Sequence, residues 1–192
     1  KKIFNKQNYA DPFARSRYNF DPIRKLGFVN TYNGYLKVTA SGNELIEKEE
    51  NVSEIFLKSL LKWQLPNFTQ LKDYKPDDGY NIIPLIGFIK LIKSLNTKYE
   101  KSVGISRKEI SIFLPSLLDI NDIDGITIEI LEFREKFKKI KNKKDKSSFI
   151  EETYRKFSKK NEFKNPYSTS KDYGDNLRRY FCYTDLFKDN GF

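Results

Sequence analysis

The chain has 192 residues, with 36 Lys and Arg against 26 Asp and Glu for a net charge of +10, no His, no Met and a single Cys. Without histidine there is no Ser-His-Asp or Cys-His nucleophile, no His-ligated zinc and no HNH-type nuclease centre, and one cysteine makes neither an internal disulfide nor a Cys-rich zinc or iron–sulfur site. A content of 38% hydrophobic and 15% aromatic residues is nonetheless ample for a sizeable core in one domain or two small ones.

No apolar run reaches the roughly 18 residues of a membrane span; the longest, Ile82 to Ile92, is broken by Lys90 and followed by Lys93. No membrane partner is expected, and the lone cysteine fits a reducing, cytoplasmic compartment. The start, Lys1-Lys2-Ile3-Phe4-Asn5, has neither an initiator Met nor the apolar stretch of a secretory signal, which predicts a piece of a longer protein. A net positive charge calls for an anionic partner such as nucleic acid. It is unevenly spread: twelve of the 36 basic residues but only four of the 26 acidic ones fall between Arg134 and Lys160. This stretch reads either as a solvated helix continuing into a lysine-rich linker or as a phosphate-contacting segment.

In chain order, residues 12–25 read as a short helix, a turn and a second short helix, with Pro22 interrupting helical structure. Leu26 to Val29 follows, then a turn at Asn30 to Gly34 and a strand over Tyr35 to Thr39. There Leu36 and Val38 alternate with Tyr35, Lys37 and Thr39, the period-two pattern of a half-buried strand. Ala40 to Ile46 adds a helix, completing the order helix, strand, turn, strand, helix of a winged helix. Val52, Ile55, Phe56 and Leu60 fall at helical spacing in a segment that Pro66 should stop, and a polar loop runs from Thr69 to Gly79. Pro84 suits the first turn of a helix carrying Leu85, Phe88, Ile89, Ile92 and Leu95, which is expected to be the most buried.

Ser106-Arg107-Lys108-Glu109 matches the capping box that opens a helix, and Pro115 predicts a kink within it. Ile126, Ile130, Phe133, Phe137 and Ile140 mark a further amphipathic helix that runs into the lysine-rich stretch. Tyr167 to Ser170 reads as a loop. Tyr173, Leu177, Tyr180, Phe181 and Thr184 then line one face of a last helix whose other side shows Lys171, Asp175, Arg178 and Arg179, and the chain ends on a turn at Asp189 to Phe192. Trp63 and Cys182 read as core residues. The fold class is mainly α with a small β component.

A metal-dependent nuclease needs carboxylates converging on its ions. The acids here are scattered: Asp77 and Asp78 lie in the polar loop, and the Glu-any-Lys triplet Glu162-Phe163-Lys164 stands 85 residues beyond Asp77. Glu44, Glu47, Glu49 and Glu50 read as the polar side of a helix end, and no Gly-rich phosphate loop occurs. No catalytic or metal-binding residue is assigned, and no cofactor is expected on these residues. Basic residues near helix starts are more informative, since a recognition helix presents its N-terminal side chains to base edges while other cations hold phosphates. Arg15, Arg17 and Asn19, Arg24 and Lys25, Arg107 and Lys108, Lys143 and Lys144, and Lys171, Arg178 and Arg179 are the candidate DNA contacts. For Asp175 and Arg179, four apart, a plain surface ion pair is the alternative reading.

Seven short motifs occur here in one order: Ala14-Arg15-Ser16-Arg17 with Leu26-Gly27-Phe28-Val29; Val38 to Ile46; Leu61 to Asn67; Ile83-Pro84-Leu85 with the helix to Leu95; Gly104 to Leu117; Ile130 to Glu135; and Lys171 to Leu186. In these motifs the chain resembles the AlwI-like type IIS restriction endonucleases, which include nicking relatives. The resemblance implies an N-terminal DNA-recognition half of winged-helix-like subdomains that reads a short asymmetric site in double-stranded DNA. It also implies a separate Mg²⁺-dependent cleavage domain of the PD-(D/E)xK type, or a second subunit, outside these residues. On that basis residues 1–60 are expected to form a winged-helix-like subdomain, 61–165 a helical subdomain ending in a basic linker, and 166–192 the start of a second winged unit. Two other readings remain open from the residues alone: a stand-alone winged-helix regulator or replication initiator, and a complete small nuclease.

Overall fold

Among the residues described by the computed structural model, 11, 20–66, 77, 79–158 and 166–188, helices predominate and a single two-stranded sheet is present. Contacts divide the chain into two units, Lys1–Ser59 and Leu60–Phe192.

In the first unit, helix α1 is described over residues 20–25 and carries Pro22 inside it rather than breaking there; the Pro22 carbonyl accepts from the Leu26 N–H at 3.0 Å. Strands β1 (Val29–Tyr32) and β2 (Tyr35–Val38) pair antiparallel with Tyr32 opposite Tyr35 and Val29 opposite Val38. The turn is therefore tighter, and β1 later, than the residue pattern indicated. Asn33 and Gly34 take φ of 50° and 78°, the pair of left-handed residues that a type I′ hairpin needs. The expected half-buried alternation in β2 is not found: Leu36 is 60% and Val38 47% exposed. Neither face of a two-stranded ribbon is buried unless another layer covers it, and among the described residues of this unit none does.

Thr39 ends the ribbon and starts helix α2 (Ala40–Glu47): its hydroxyl donates to the Gly27 carbonyl at 2.7 Å and accepts from the Gly42 N–H at 3.1 Å. Gly42 is required there, because a Cβ would collide with the Phe28 carbonyl oxygen. A 3₁₀ turn, Glu49–Asn51, leads into α3 (Val52–Lys62), whose Ile55 is buried and whose Phe56 ring lies 5.2 Å from that of Phe28.

The second unit is built on α4 (Pro84–Tyr99), with Leu85, Phe88, Leu91 and Leu95 buried, and α6 (Ile123–Lys139), with Ile123, Ile126, Ile130 and Phe133 buried; the two helices pack together and the Thr127 hydroxyl meets that of Ser94 at 3.0 Å. Pro84 opens α4 as expected. Ile89 does not join the buried stripe and is 37% exposed, since at about 100° per residue it stands roughly a quarter-turn away from the line of Leu85, Phe88 and Leu95. Between the two helices, α5 (Arg107–Phe113) and the 3₁₀ turn Leu114–Ser116 that Pro115 imposes on its end give an unbroken buried run from Glu109 to Leu117. This short segment, rather than α4, has the longest buried run among the described residues, because α6, α7 and α8 all pack on it.

The structure also departs from the sequence pattern at the expected linker and loop. After a break at Ile140–Asn142, the lysine-rich stretch forms helix α7 (Lys143–Ser158), with Tyr154 and Phe157 buried. Helix α8 (Pro166–Cys182) already spans Tyr167 to Ser170. Phe113 joins these layers, its ring 5.7 Å from Phe133 and 4.7 Å from Phe157. Trp63 is buried beside Tyr180, whereas Cys182 is only half-buried. Of the expected Thr69–Gly79 loop only Asp77 and Gly79 are described, and the expected turn at Asp189–Phe192 lies outside the described residues.

Helices α5 and α8 cross where Gly174 meets Ser111, so closely that a Cβ on Gly174 would overlap the Ser111 Cα. Gly125, exposed in the first turn of α6, faces open space. The two glycines should therefore respond oppositely to alanine in urea unfolding. Gly174→Ala should destabilise the protein by about 1–3 kcal/mol through overpacking, and Gly125→Ala should stabilise it by about 0.5–1 kcal/mol through lower backbone entropy in the unfolded chain.

Candidate nucleic-acid interface

The start of α5 is fixed by a capping box that is also an ion pair. The Ser106 hydroxyl accepts from the Glu109 N–H at 3.3 Å, and the Glu109 carboxylate accepts from the Ser106 N–H at 2.7 Å. The same carboxylate takes two hydrogen bonds from Arg134 of α6, Nε to Oε1 at 2.7 Å and Nη2 to Oε2 at 3.0 Å, and Arg134 also donates to the Gly104 carbonyl at 2.7 Å. The Glu109 side chain is 6% exposed and that of Arg134 20%. Burial works against the Arg134 charge, but the hydrogen bond and charge of Glu109, aided by Tyr99, outweigh it and hold the guanidinium more firmly protonated than in water.

With the helix start so anchored, Arg107 and Lys108 project from its first turn with exposed side chains. Arg107 reaches Asp175 of α8 at 3.7 Å. The Asp175 Oδ1 also accepts from Arg178, Nε at 3.3 Å and Nη2 at 3.1 Å, while Oδ2 meets Arg179 Nη2 at 2.7 Å. Three guanidinium groups from two helices thus share one carboxylate. Burial raises the Asp175 pKa, yet the Arg178 hydrogen bond and the charges of Arg179, Arg178 and Arg107 prevail and hold it below its ordinary 3.8. Arg178, expected on the solvent side of α8, is only 12% exposed. Arg107 and Arg178 border a cavity of ≈ 790 Å³ whose apolar wall includes Phe88, Phe181 and Phe187.

A second junction lies at Phe137 of α6, whose ring has Lys108 Nζ 5.4 Å and Lys146 Nζ 5.1 Å from its centre. Basic side chains far apart in sequence, from α5, α7 and α8, therefore form one connected group. Lys171 lies exposed one turn before Asp175, and Lys143 and Lys144 stand exposed at the start of α7. Arg24 and Lys25 are half-buried in the first unit, where Arg24 pairs with Asp21 at 3.2 Å. Arg15, Arg17 and Asn19 lie outside the described residues. Asp175 as a hub and Lys146 as a member were not singled out from the sequence. The i, i+3, i+4 spacing of Asp175, Arg178 and Arg179 was legible, but nothing local links them to Arg107.

Comparison with known families matches residues 24–191 to the AlwI restriction endonuclease. The chain belongs to the AlwI restriction endonuclease family. No curated protein matches it. The AlwI family is one of nucleases, hydrolases whose substrate is DNA, and the electropositive group above lies within the matched residues. No helix among the described residues is long and apolar enough to cross a membrane.

Restriction endonucleases generally use Mg²⁺, an ion usually held by one or two carboxylates together with substrate phosphates and waters. Among the described residues of this AlwI-family chain no group of three or more His, Cys, Asp or Glu side chains could hold a metal. Three carboxylates of this unit are engaged by cations: Asp175 by three arginines, Glu109 by Arg134, and Glu129 by Lys156 at 2.8 Å. These three carboxylates are therefore not left to face a Mg²⁺ ion. Asp78 and the Glu162-Phe163-Lys164 triplet lie outside the described residues.

Two stability predictions follow from the ion pairs. Glu109→Ala strands the Arg134 charge and should cost about 3–5 kcal/mol in urea unfolding, far more than removing an exposed partner such as Glu54 of the Glu54–Lys58 pair. Because the Asp175 pKa is lowered by folding, its ionised form contributes stability that is complete at neutral pH and is lost as pH falls below 3.8 through the lowered value. Asp175→Asn should flatten that acidic limb of the stability curve while leaving the pH dependence near neutrality unchanged.

Proposed function

We propose that this chain is the DNA-recognition portion of a type IIS restriction or nicking endonuclease, reading a short asymmetric site in double-stranded DNA while a Mg²⁺-dependent cleavage domain or second subunit cuts outside it. The observation that carries the reading is the joining of Arg107, Lys108, Lys146, Arg178 and Arg179 into one group through Asp175 and Phe137. Arginines and lysines gathered in this way displace counterions from phosphates, and a few side chains then read base edges in the major groove. Lys171, Lys143 and Lys144 extend the phosphate-binding surface. In the first unit the helix, strand, turn, strand, helix order favours a winged-helix-like subdomain, with Arg15, Arg17, Asn19, Arg24 and Lys25 as its contacts. The helical subdomain over 61–165 and a second winged-helix-like unit from 166 complete this reading.

The test is selection of bound sequences from random duplex DNA in the presence of Mg²⁺, followed by a search for nicks. Enrichment of one asymmetric sequence without cleavage is the expected result; no enrichment, or binding that ignores salt, overturns the reading. Replacing Lys143 and Lys144 together with glutamine should weaken binding to all sequences alike. It should also reduce the slope of log affinity against log salt by about one per lysine, measured by titration at several salt concentrations.

A further inference from the structure

Asp175 accounts for the arrangement of the arginines in a way that simple charge accumulation does not. Three guanidinium groups carry +3 and would repel one another into separate, solvated positions. One carboxylate pairs with all three, Arg178 at 3.1 Å and Arg179 at 2.7 Å closely and Arg107 more loosely at 3.7 Å, and leaves a local excess of +2. Arg178 is the buried anchor at 12% exposure, whereas Arg107 and Arg179 are 52% and 62% exposed. Arg107 and Arg179 each meet Asp175 through one terminal nitrogen, so the carboxylate leaves most of their five N–H donors unused. The hub itself cannot drift, because the neighbouring Gly174 is pressed against Ser111 at the crossing of α5 and α8.

From this geometry we propose that Asp175 is a positioning residue that presets Arg107 and Arg179, on the anchor of Arg178, as a clamp for one phosphodiester group of the DNA backbone. The proposal rests on the DNA-recognition reading above and names one contact within it. Planar guanidinium forks bind phosphate oxygens in pairs, and forks held in place before binding lose less side-chain freedom on contact. A backbone contact of this kind sets the register of the protein on the duplex and carries no base preference of its own.

Asp175→Asn gives a test by sign. If the arginines act only as accumulated charge, removing the carboxylate raises the local excess from +2 to +3 and tightens DNA binding. If Asp175 positions them, the same change weakens binding despite the added positive charge. The expected result is about a tenfold loss of affinity for the selected site and for random duplex alike, with unchanged sequence preference and partial rescue by Asp175→Glu. Equal or tighter binding by Asp175→Asn overturns the proposal.

Arg179→Lys, at an exposed position that spares the fold, is the second variant. It keeps the charge and loses the fork, so it should weaken binding several-fold with little change in salt slope; unchanged affinity overturns the proposal. A duplex carrying a single neutral methylphosphonate, moved one position at a time, locates the phosphate. At one position its effect and that of Asp175→Asn should fail to add, and additivity at every position overturns the clamp. Inorganic phosphate or a free nucleotide that binds Asp175-dependently as well as duplex does would assign the site to a small anion instead. Failure of the unaltered protein to bind any duplex overturns the underlying reading, whereas binding by the unaltered protein with no effect of either variant overturns only the clamp.

Discussion

The buried pair of Glu109 and Arg134 sets the geometry on which the second unit depends. Its carboxylate closes the capping box of α5 and at the same time accepts from the Nε and Nη2 of a guanidinium from α6. A helix of seven residues has little intrinsic tendency to persist, so its start must be held by tertiary contacts. Here one side chain performs both tasks. The direction in which Arg107 and Lys108 leave the first turn follows from it, and so does the position of Ser111, on which Gly174 and α8 rest.

The electrostatic character of the molecule differs from what counting along the sequence indicates. The lysine-rich stretch holds the densest positive charge, yet part of it is neutralised locally: Lys136 pairs with Glu132, Arg155 with Glu151, and Lys156 reaches across to Glu129. The arginines that gather around Asp175 come instead from segments whose net charge is unremarkable. A surface potential depends on which cations lack nearby anions, and that is decided by packing between helices far apart in the chain.

The capping box, Pro84 at a helix start and the apolar stripes of α4 and α6 were legible because each is a local signal with a fixed spacing. Pattern failed where a strong feature masked a weaker one. In α7 the dense lysines mask Phe149, Thr153, Tyr154 and Phe157, which repeat at helical intervals and make the expected linker a packed helix. The hairpin was misplaced although Asn33-Gly34 is itself the usual signature of a two-residue turn. The family resemblance was legible from ordered motifs and extends over most of the chain. The meeting of Arg107 with Asp175 was not legible, since the 67 intervening residues carry no local sign of it.

The exposed ribbon of β1 and β2 has a consequence for how the protein behaves in a crowded solution. Among the described residues the two-stranded sheet has both edges open, and each offers backbone N–H and C=O groups to any extended chain that approaches. With Tyr35, Leu36 and Val38 exposed along β2, such an edge would be an efficient template for intermolecular strand addition if it were long. Each strand stops at four residues, and Lys37 sits within β2 between Leu36 and Val38. Shortness and the charge of Lys37 therefore both work against the hairpin acting as such a template.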